Sequence, residues 1–205
     1  MPSAPRRLWI ALAIVAVVAG GSAGLAFARV SPGPEGPPIE KGPDLAPAGA
    51  PAPGRSTDGM RCQGSEQVLF HIHARLTIFV DGRSRKVPYG IGIAAPQRVA
   101  ITPRGAFVVG GACFACLHTH AADGIVHIES PVKRTFTLGN FFDVWKQPLS
   151  GTRVGHAKGT VTAFVDGKAW HGSPRSIPLN AHARIQLEVG RPLVEPVHIS
   201  NWYGL

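Results

Sequence analysis

The run from Val68 to Val80 (VLFHIHARLTIFV) constrains the fold most strongly, because apolar and polar side chains alternate along it. A period of two places successive side chains on opposite faces of a β-strand and is incompatible with an amphipathic helix. The run ends at Asp81-Gly82, a dipeptide typical of tight hairpin turns. The pattern therefore predicts a strand with an apolar face, a polar face that carries His71 and His73, and a hairpin after it.

Other short segments share this strand character. A second Thr-x-Phe-Val-Asp-Gly segment begins at Thr162 and predicts another hairpin. Further predicted strands are Arg98 to Thr102, Ala106 to Val109, Ile125 to Glu129 and 183–190. One helix is expected near 138–147, where Thr137 can cap its start and Pro148 marks its end. The fold class that follows is mainly β, a sandwich or open barrel of short strands with one packed helix.

The N-terminal residues 1–28 differ from the rest in containing a long uncharged stretch. Arg6 and Arg7 precede 21 uncharged residues from Leu8 to Ala28. This hydrophobic helix is long enough to cross a bilayer, but its Ala26-Phe27-Ala28 end also fits a signal-peptide cleavage site. Both interpretations predict export: a single-pass protein of the cytoplasmic membrane with its C-terminal domain outside, or a secreted protein.

Residues 29–59 are dominated by proline and glycine. Between Ser31 and Gly59 there are eight Pro and six Gly and almost no large apolar side chain. Such a composition predicts a disordered linker, since little apolar surface is available to offset the entropy of ordering. The extracytoplasmic, mainly β domain is then expected to span 60–205.

Histidine is the residue type that points to a function. Five of the nine histidines lie in the central part of the chain, in two His-x-His pairs and one further strand: His71, His73, His118, His120 and His127. Residues i and i+2 of a strand share a face, so two imidazoles can converge on one ion. Imidazole binds copper, zinc, nickel and iron. Asp123 and Glu129 are close in sequence to the second pair and are candidates for supporting carboxylates or ligands.

The metal and its role remain open at this level. Three histidines with an open position are typical of a catalytic zinc site, and all-imidazole ligation in an oxidising compartment equally suits Cu(II). Between the two, copper is slightly favoured over zinc. The leading hypothesis is metal sensing, buffering or delivery. The alternatives are a metalloenzyme, hydrolytic with zinc or oxidative with copper, and a metal-free interaction domain whose histidines merely line a sheet. His156, His171 and His198 stand alone near Gly or Pro and are expected to have no ligand role.

Three cysteines are present, and an exported domain is expected to contain a disulfide. We favour a Cys62–Cys113 bond, which would close a long loop ahead of the second histidine pair. Cys116 is then free or lends a thiolate to the metal. Thioredoxin-like chemistry at Cys113-x-x-Cys116 is disfavoured, since no βαβ pattern surrounds it.

The basic charge does not identify a partner. Lys and Arg number 21 against 12 Asp and Glu, a formal net charge of +9, but they are scattered. No basic helix or zinc-finger spacing is present, which argues against nucleic acid as a partner. Attraction to anionic lipid headgroups or to anionic wall polymers of the cell envelope is expected instead.

Several blocks together resemble a known family. The segments His71-Ile72-His73, Leu117-His118-Thr119-His120 and Ile125–Pro131 occur in order, followed by Phe136–Trp145. They are similar to a family of uncharacterised exported or membrane-anchored prokaryotic proteins with HxH, (W)LHTH and IHIESP segments. The resemblance implies that these blocks form one unit and supports the Cys62–Cys113 pairing, but it implies no activity. An aromatic residue is usual in that family where Cys116 stands here.

Overall fold

The structure is a computed structural model that describes residues 37–205. The predicted signal or anchor segment, 1–28, and the start of the predicted linker, 29–36, lie outside these residues. No helix within the described range has the length and apolar character needed to span a membrane.

Short strands make up most of the regular structure in this range. The first strands are β1 (Ser56–Thr57), β2 (Met60–Arg61), β3 (Phe70–Val80), β4 (Arg83–Arg85), β5 (Arg98–Thr102), β6 (Gly105–Gly110), β7 (Leu117–His118) and β8 (Ile125–Ser130). After helix α1 (Leu138–Trp145) come β9 (Leu149–Ser150), β10 (Arg153–Val154), β11 (Ala157–Lys158), β12 (Val161–Val165), β13 (Lys168–Ala169), a 3-10 helix (Pro174–Ser176) and β14 (Arg184–Val189). The prediction of a mainly β chain with one packed helix is confirmed.

One seven-stranded sheet organises the described chain. Its order is β13-β12-β14-β3-β8-β7, and β4 pairs with β3 as well. Neighbouring strands are antiparallel except β14 and β3, which run parallel. The long strand β3 therefore lies in the interior of the sheet and aligns β8 on one side with β14 on the other.

Both predicted hairpins form, with two-residue turns. Val80 pairs with Arg83, and Val165 pairs with Lys168, so Asp-Gly is the whole loop in each case. At the first turn Asp81 has φ 50° and Gly82 has φ 69°. Positive φ at both central residues suits the right-handed twist of the strands, and Asp-Gly tolerates it.

The apolar face of β3 forms the centre of the core. Ala74, Leu76 and Ile78 are fully buried there, in one cluster with Phe142 and Trp145 of the helix. Helix α1 begins at Thr137, whose side chain accepts a hydrogen bond from the Asn140 backbone amide in a capping box. With one face of β3 filled by this core, its histidines lie on the opposite face.

The segment 37–59 differs from the predicted disordered linker, because it is attached to the folded domain. The Leu45 amide donates to the Lys86 carbonyl at 2.9 Å, and the Gly92 amide donates to the Gly49 carbonyl at 2.8 Å. The Trp145 indole N–H donates to the Pro47 carbonyl at 2.9 Å. An extended chain with few apolar side chains is thus held by its backbone amides and carbonyls, and proline loses little conformational freedom on being ordered.

Candidate metal centre

The strand register brings three of the predicted histidines into one row. His73 on β3 is paired with His127 on β8, and His127 is paired in turn with His118 on β7. Side chains directly opposite each other on neighbouring antiparallel strands have Cβ atoms about 5 Å apart. Three imidazoles from distant parts of the sequence therefore lie side by side across the sheet.

The next row adds a histidine and a carboxylate. His71 is paired with Glu129, and the His71 Nε2 atom lies 3.2 Å from Glu129 Oε1. Glu129 Oε1 is also 3.6 Å from His127 Nδ1 and 3.8 Å from His118 Nε2. The second carboxylate oxygen, Oε2, is buried and has no hydrogen-bond partner. Glu129 therefore lies at the centre of the cluster with one buried oxygen free to bind a cation.

The ring nitrogens of neighbouring histidines are in contact. His71 Nε2 lies 3.0 Å from His73 Nε2, and His73 Nε2 lies 3.2 Å from His127 Nδ1. His118 Nε2 lies 3.0 Å from His120 Nε2. Ligand atoms around one small cation have comparable spacings, since metal–nitrogen bonds of about 2.0–2.1 Å place neighbouring nitrogens just over 3 Å apart.

Backbone carbonyls orient the second His-x-His pair. His118 Nδ1 lies 2.9 Å from the Ala115 carbonyl oxygen, and His120 Nδ1 contacts the Val108 carbonyl oxygen. A carbonyl only accepts, so both rings carry a hydrogen on Nδ1 and donate it there. In the neutral rings this leaves the Nε2 lone pairs directed into the cluster, the arrangement that metal-binding histidines use.

Aromatic rings shield the same pair from solvent. The Phe107 ring stacks on His120 with centroids 4.8 Å apart, and Phe114 lies 5.7 Å from His118. The His118 side chain is fully buried. This side of the cluster is consequently closed by protein.

Burial keeps most of these imidazoles neutral. It lowers the pKa of His73 to about 4 and that of His118 to about 3, with neighbouring histidines adding to the effect. Burial followed by histidine repulsion also lowers the pKa of His127 well below its usual value. Neutral imidazole is the form that ligates, so these three rings are ready for a metal at neutral pH.

The carboxylates and His120 behave differently. Burial, and then repulsion by Glu66, raises the pKa of Glu129 to about 7. Glu66 Oε1 lies 3.3 Å from His120 Nε2. Burial by itself lowers the pKa of His120, but the hydrogen bonds to Glu66 and the Val108 carbonyl outweigh it, and the net pKa is raised. In the metal-free protein, protons thus gather at Glu129 and His120.

Glu66 is a residue that no sequence pattern marks, because it lies in an irregular loop. The loop is held by the Cys62–Cys113 disulfide and by two backbone hydrogen bonds between Gln63 and Phe114 of 2.7 and 2.9 Å. These links bring Glu66 beside His120. The predicted disulfide is therefore present, and it positions a charged side chain of the site.

Cys116 and Asp123 do not join the cluster. The Cys116 thiol is free and buried in the main core, where burial raises its pKa, and it belongs to none of the possible ligand groups of the described residues. Asp123 Oδ1 instead accepts a hydrogen bond from the Ile125 amide at 2.9 Å. The suggestions of a Cys116 thiolate ligand and of Asp123 as a supporting carboxylate thus differ from the structure, because both side chains are used elsewhere.

Two overlapping groups of possible metal ligands result. One consists of His118, His120, His127 and Glu129, and the other of His71, His73 and His127. Within each group the ligand atoms lie within 4.8 Å of one another. This His/Glu cluster can hold a metal ion.

Comparisons with known proteins add no relative to this description. No protein-family model matches the chain, and neither the curated proteins nor the solved structures contain a match. Its similarity to the exported prokaryotic family remains a prediction from the sequence.

Proposed function

We propose that this protein binds a divalent transition-metal ion, copper(II) or zinc(II), and serves metal sensing, buffering or delivery outside the cytoplasm. The observation that carries the proposal is the contact between His118 and His120. Both rings donate Nδ1–H to backbone carbonyls, and their Nε2 atoms are 3.0 Å apart. In the metal-free protein the proton of His120 can lie between these two nitrogens, since the pKa of His120 is raised and that of His118 is lowered. A divalent metal ion can take the place of that proton, because the neutral imidazole nitrogens it would leave are metal ligands.

The donor set favours copper(II) slightly over zinc(II). Its ligands are imidazole nitrogens and carboxylate oxygens, because Met60 and Cys116 are both buried in the core. Without sulfur ligands the site is unsuited to Cu(I). For a given set of nitrogen and oxygen ligands, Cu(II) binds more tightly than Zn(II).

The extracytoplasmic location is also part of the proposal. A disulfide is typical of oxidising compartments, and the N-terminal 28 residues have the composition of an export signal or a single membrane anchor. The excess of basic residues would favour contact with anionic lipids or with anionic wall polymers of the envelope.

A metalloenzyme is the second candidate, and the openness of one edge of the cluster favours it. The His71 side chain is 40% exposed and that of Glu66 is 38% exposed, whereas His118 is fully buried. A small molecule could reach an ion from that edge, and Glu66 could transfer a proton there. Azide added to the Cu(II)-loaded protein tests this access, since binding to an open coordination position gives a new charge-transfer absorption band.

Metal content of the purified full chain tests the main proposal. The wild type is compared with His118→Ala plus His120→Ala, and a matched control carries His156→Ala plus His171→Ala at two exposed positions. We expect stoichiometric metal in the wild type and the control, and a loss in the cluster variant, with circular dichroism confirming that all three are folded. Equal sub-stoichiometric metal in the wild type and the cluster variant would contradict the proposal and favour a metal-free interaction domain.

A further inference from the structure

The cluster contains more ligands than one ion uses. Five imidazoles and two carboxylates converge on it: His71, His73, His118, His120, His127, Glu66 and Glu129. A zinc ion takes four ligands in most protein sites, and one of them is often water. A single ion would therefore leave several of these nitrogen and oxygen atoms without a metal.

The imidazoles separate into two pairs with His127 between them. The His71 and His73 ring centroids are 4.6 Å apart, and those of His118 and His120 are 4.8 Å apart. The His127 ring lies 4.6 Å from His73 and 4.7 Å from His120. Nitrogen contacts of 3.0 Å occur within each pair, and His73 Nε2 lies 3.2 Å from His127 Nδ1. The possible metal ligands divide in the same way, into one group around His118 and His120 and one around His71 and His73, with His127 common to both.

Glu129 connects the two centres. Its Oε1 atom lies 3.2 Å from His71 Nε2 on one side and 3.8 Å from His118 Nε2 on the other. Its Oε2 atom is buried without a hydrogen-bond partner, and the side chain is only 4% exposed. A buried carboxylate oxygen without a partner is unfavourable unless a cation binds it. Ions that share a carboxylate lie about 3.5–4 Å apart in two-metal protein sites.

We propose that the site is dinuclear, with an inner and an outer metal ion joined by the Glu129 carboxylate. His118, His120 and His127 hold the inner ion, on the closed side beside Phe107. His71 and His73 hold the outer ion, on the solvent-exposed side. This inference rests on the proposed metal binding and adds to it the number of ions and their division among the ligands.

The two metal positions differ in how many coordination positions they leave open to other molecules. His127 belongs to both groups of possible ligands, and its Nδ1 atom lies 3.2 Å from His73 Nε2. One ring nitrogen binds one ion, so assigning His127 to the inner ion leaves the outer ion with two imidazoles and the Glu129 carboxylate. Two histidines and one carboxylate leave coordination positions open to other molecules. The outer position therefore takes up and releases ions or small anions, while the inner ion is more firmly held.

Zinc titration of the metal-free full chain tests this division. We expect two ions per chain for the wild type and for a His156→Ala control, and one ion for His71→Ala and for His120→Ala. His71 is partly exposed, so its replacement leaves the fold intact and keeps the test valid if the buried His120 variant fails to fold. A wild-type stoichiometry of one overturns the dinuclear site and leaves the proposed function standing. No binding at all overturns both.

Copper(II) gives an independent readout of the distance between the ions. Two Cu(II) ions sharing a carboxylate couple magnetically, so the wild type loaded with two equivalents should show a weakened or half-field electron paramagnetic resonance signal. His71→Ala should give the ordinary signal of an isolated Cu(II), and Glu129→Gln should lose the coupling. Two uncoupled Cu(II) signals in the wild type would refute the shared carboxylate.

Discussion

Glu40 is the residue whose replacement should change the pH dependence of folding most clearly. It lies in the segment attached to the sheet, and its amide donates to the Ala122 carbonyl at 2.9 Å. Its side chain is only 4% exposed, and its Oε1 atom lies 3.8 Å from the Nη2 atom of Arg75. Both carboxylate oxygens are buried without a hydrogen-bond partner. Burial raises the pKa of Glu40 from its ordinary 4.5 to about 7, although the Arg75 charge opposes the shift.

The sign of the effect follows from which state holds the proton. Between pH 4.5 and about 7 the folded protein keeps Glu40 protonated, whereas the unfolded chain has already released that proton. Stability falls wherever the folded state binds more protons, so the contribution of Glu40 to stability decreases as pH rises through this interval. At about 1.4 kcal/mol per pH unit, the loss over the whole interval is about 3 kcal/mol.

Glu40→Gln preserves the shape of the side chain and removes the ionisation. The free energy of unfolding of the variant minus that of the wild type should therefore be about 3 kcal/mol higher at pH 8 than at pH 4, because only the wild type loses stability over this interval. Any constant effect of the amide on Arg75 cancels in this difference. Comparing the two pH values thus separates the effect of the Glu40 ionisation on the free energy of unfolding from any effect of the substitution on packing.

Urea denaturation followed by tryptophan fluorescence measures this difference, since Trp145 is fully buried and reports on the core. A chelator in every sample removes the contribution of metal binding. Glu195→Gln, at an exposed position, is the matched control and should leave the difference between the two pH values as in the wild type. Parallel stability curves for Glu40→Gln and the wild type from pH 4 to 8 would refute the reasoning.

Two other changes test the disulfide and the metal ligands. Replacing Cys62 and Cys113 together by serine opens a loop with a sequence separation of 51. Loop entropy predicts a loss of about 4 kcal/mol in urea denaturation, and a loss below about 1 kcal/mol would contradict it. For the metal, Glu129 has a pKa of about 7, so an ion must displace its proton in acid. Zinc affinity by chelator competition should fall about 100-fold from pH 7 to pH 5, because the proton on Glu129 competes about tenfold more strongly with each pH unit below its pKa. An affinity unchanged from pH 5 to pH 8 would rule this out.

The amino-acid sequence predicts the parts of the fold that depend on periodicity. Alternation along β3 assigns His71 and His73 to the face opposite Leu76, and Asp81-Gly82 locates the hairpin turn. These features are local, because side-chain direction and turn geometry depend on neighbouring residues. The polar face of β3 and the candidate ligands of the second histidine pair can therefore be identified from the amino-acid sequence alone.

Long-range pairing cannot be identified in the same way. The parallel contact between β3 and β14 joins strands separated by most of the domain, and no local pattern encodes it. Glu66 reaches His120 because the disulfide and the backbone hydrogen bonds between Gln63 and Phe114 hold its loop. The prediction of disorder for residues 37–59 is wrong, because it rests on the small number of apolar side chains. This segment is held mainly through hydrogen bonds of its backbone.

The row formed by His73, His127 and His118 is aligned by the reverse side of the same strands. Ile72 faces Ile128 and Ala74 faces Val126 across β3 and β8, and these side chains pack in or against the core. Hydrophobic packing thus pre-organises the imidazoles, which lowers the entropy cost of ordering them around an incoming ion. Zinc-finger domains, in contrast, unfold when their ion leaves. A pre-organised cluster of this kind is suited to the proposed reversible exchange of metal with a partner.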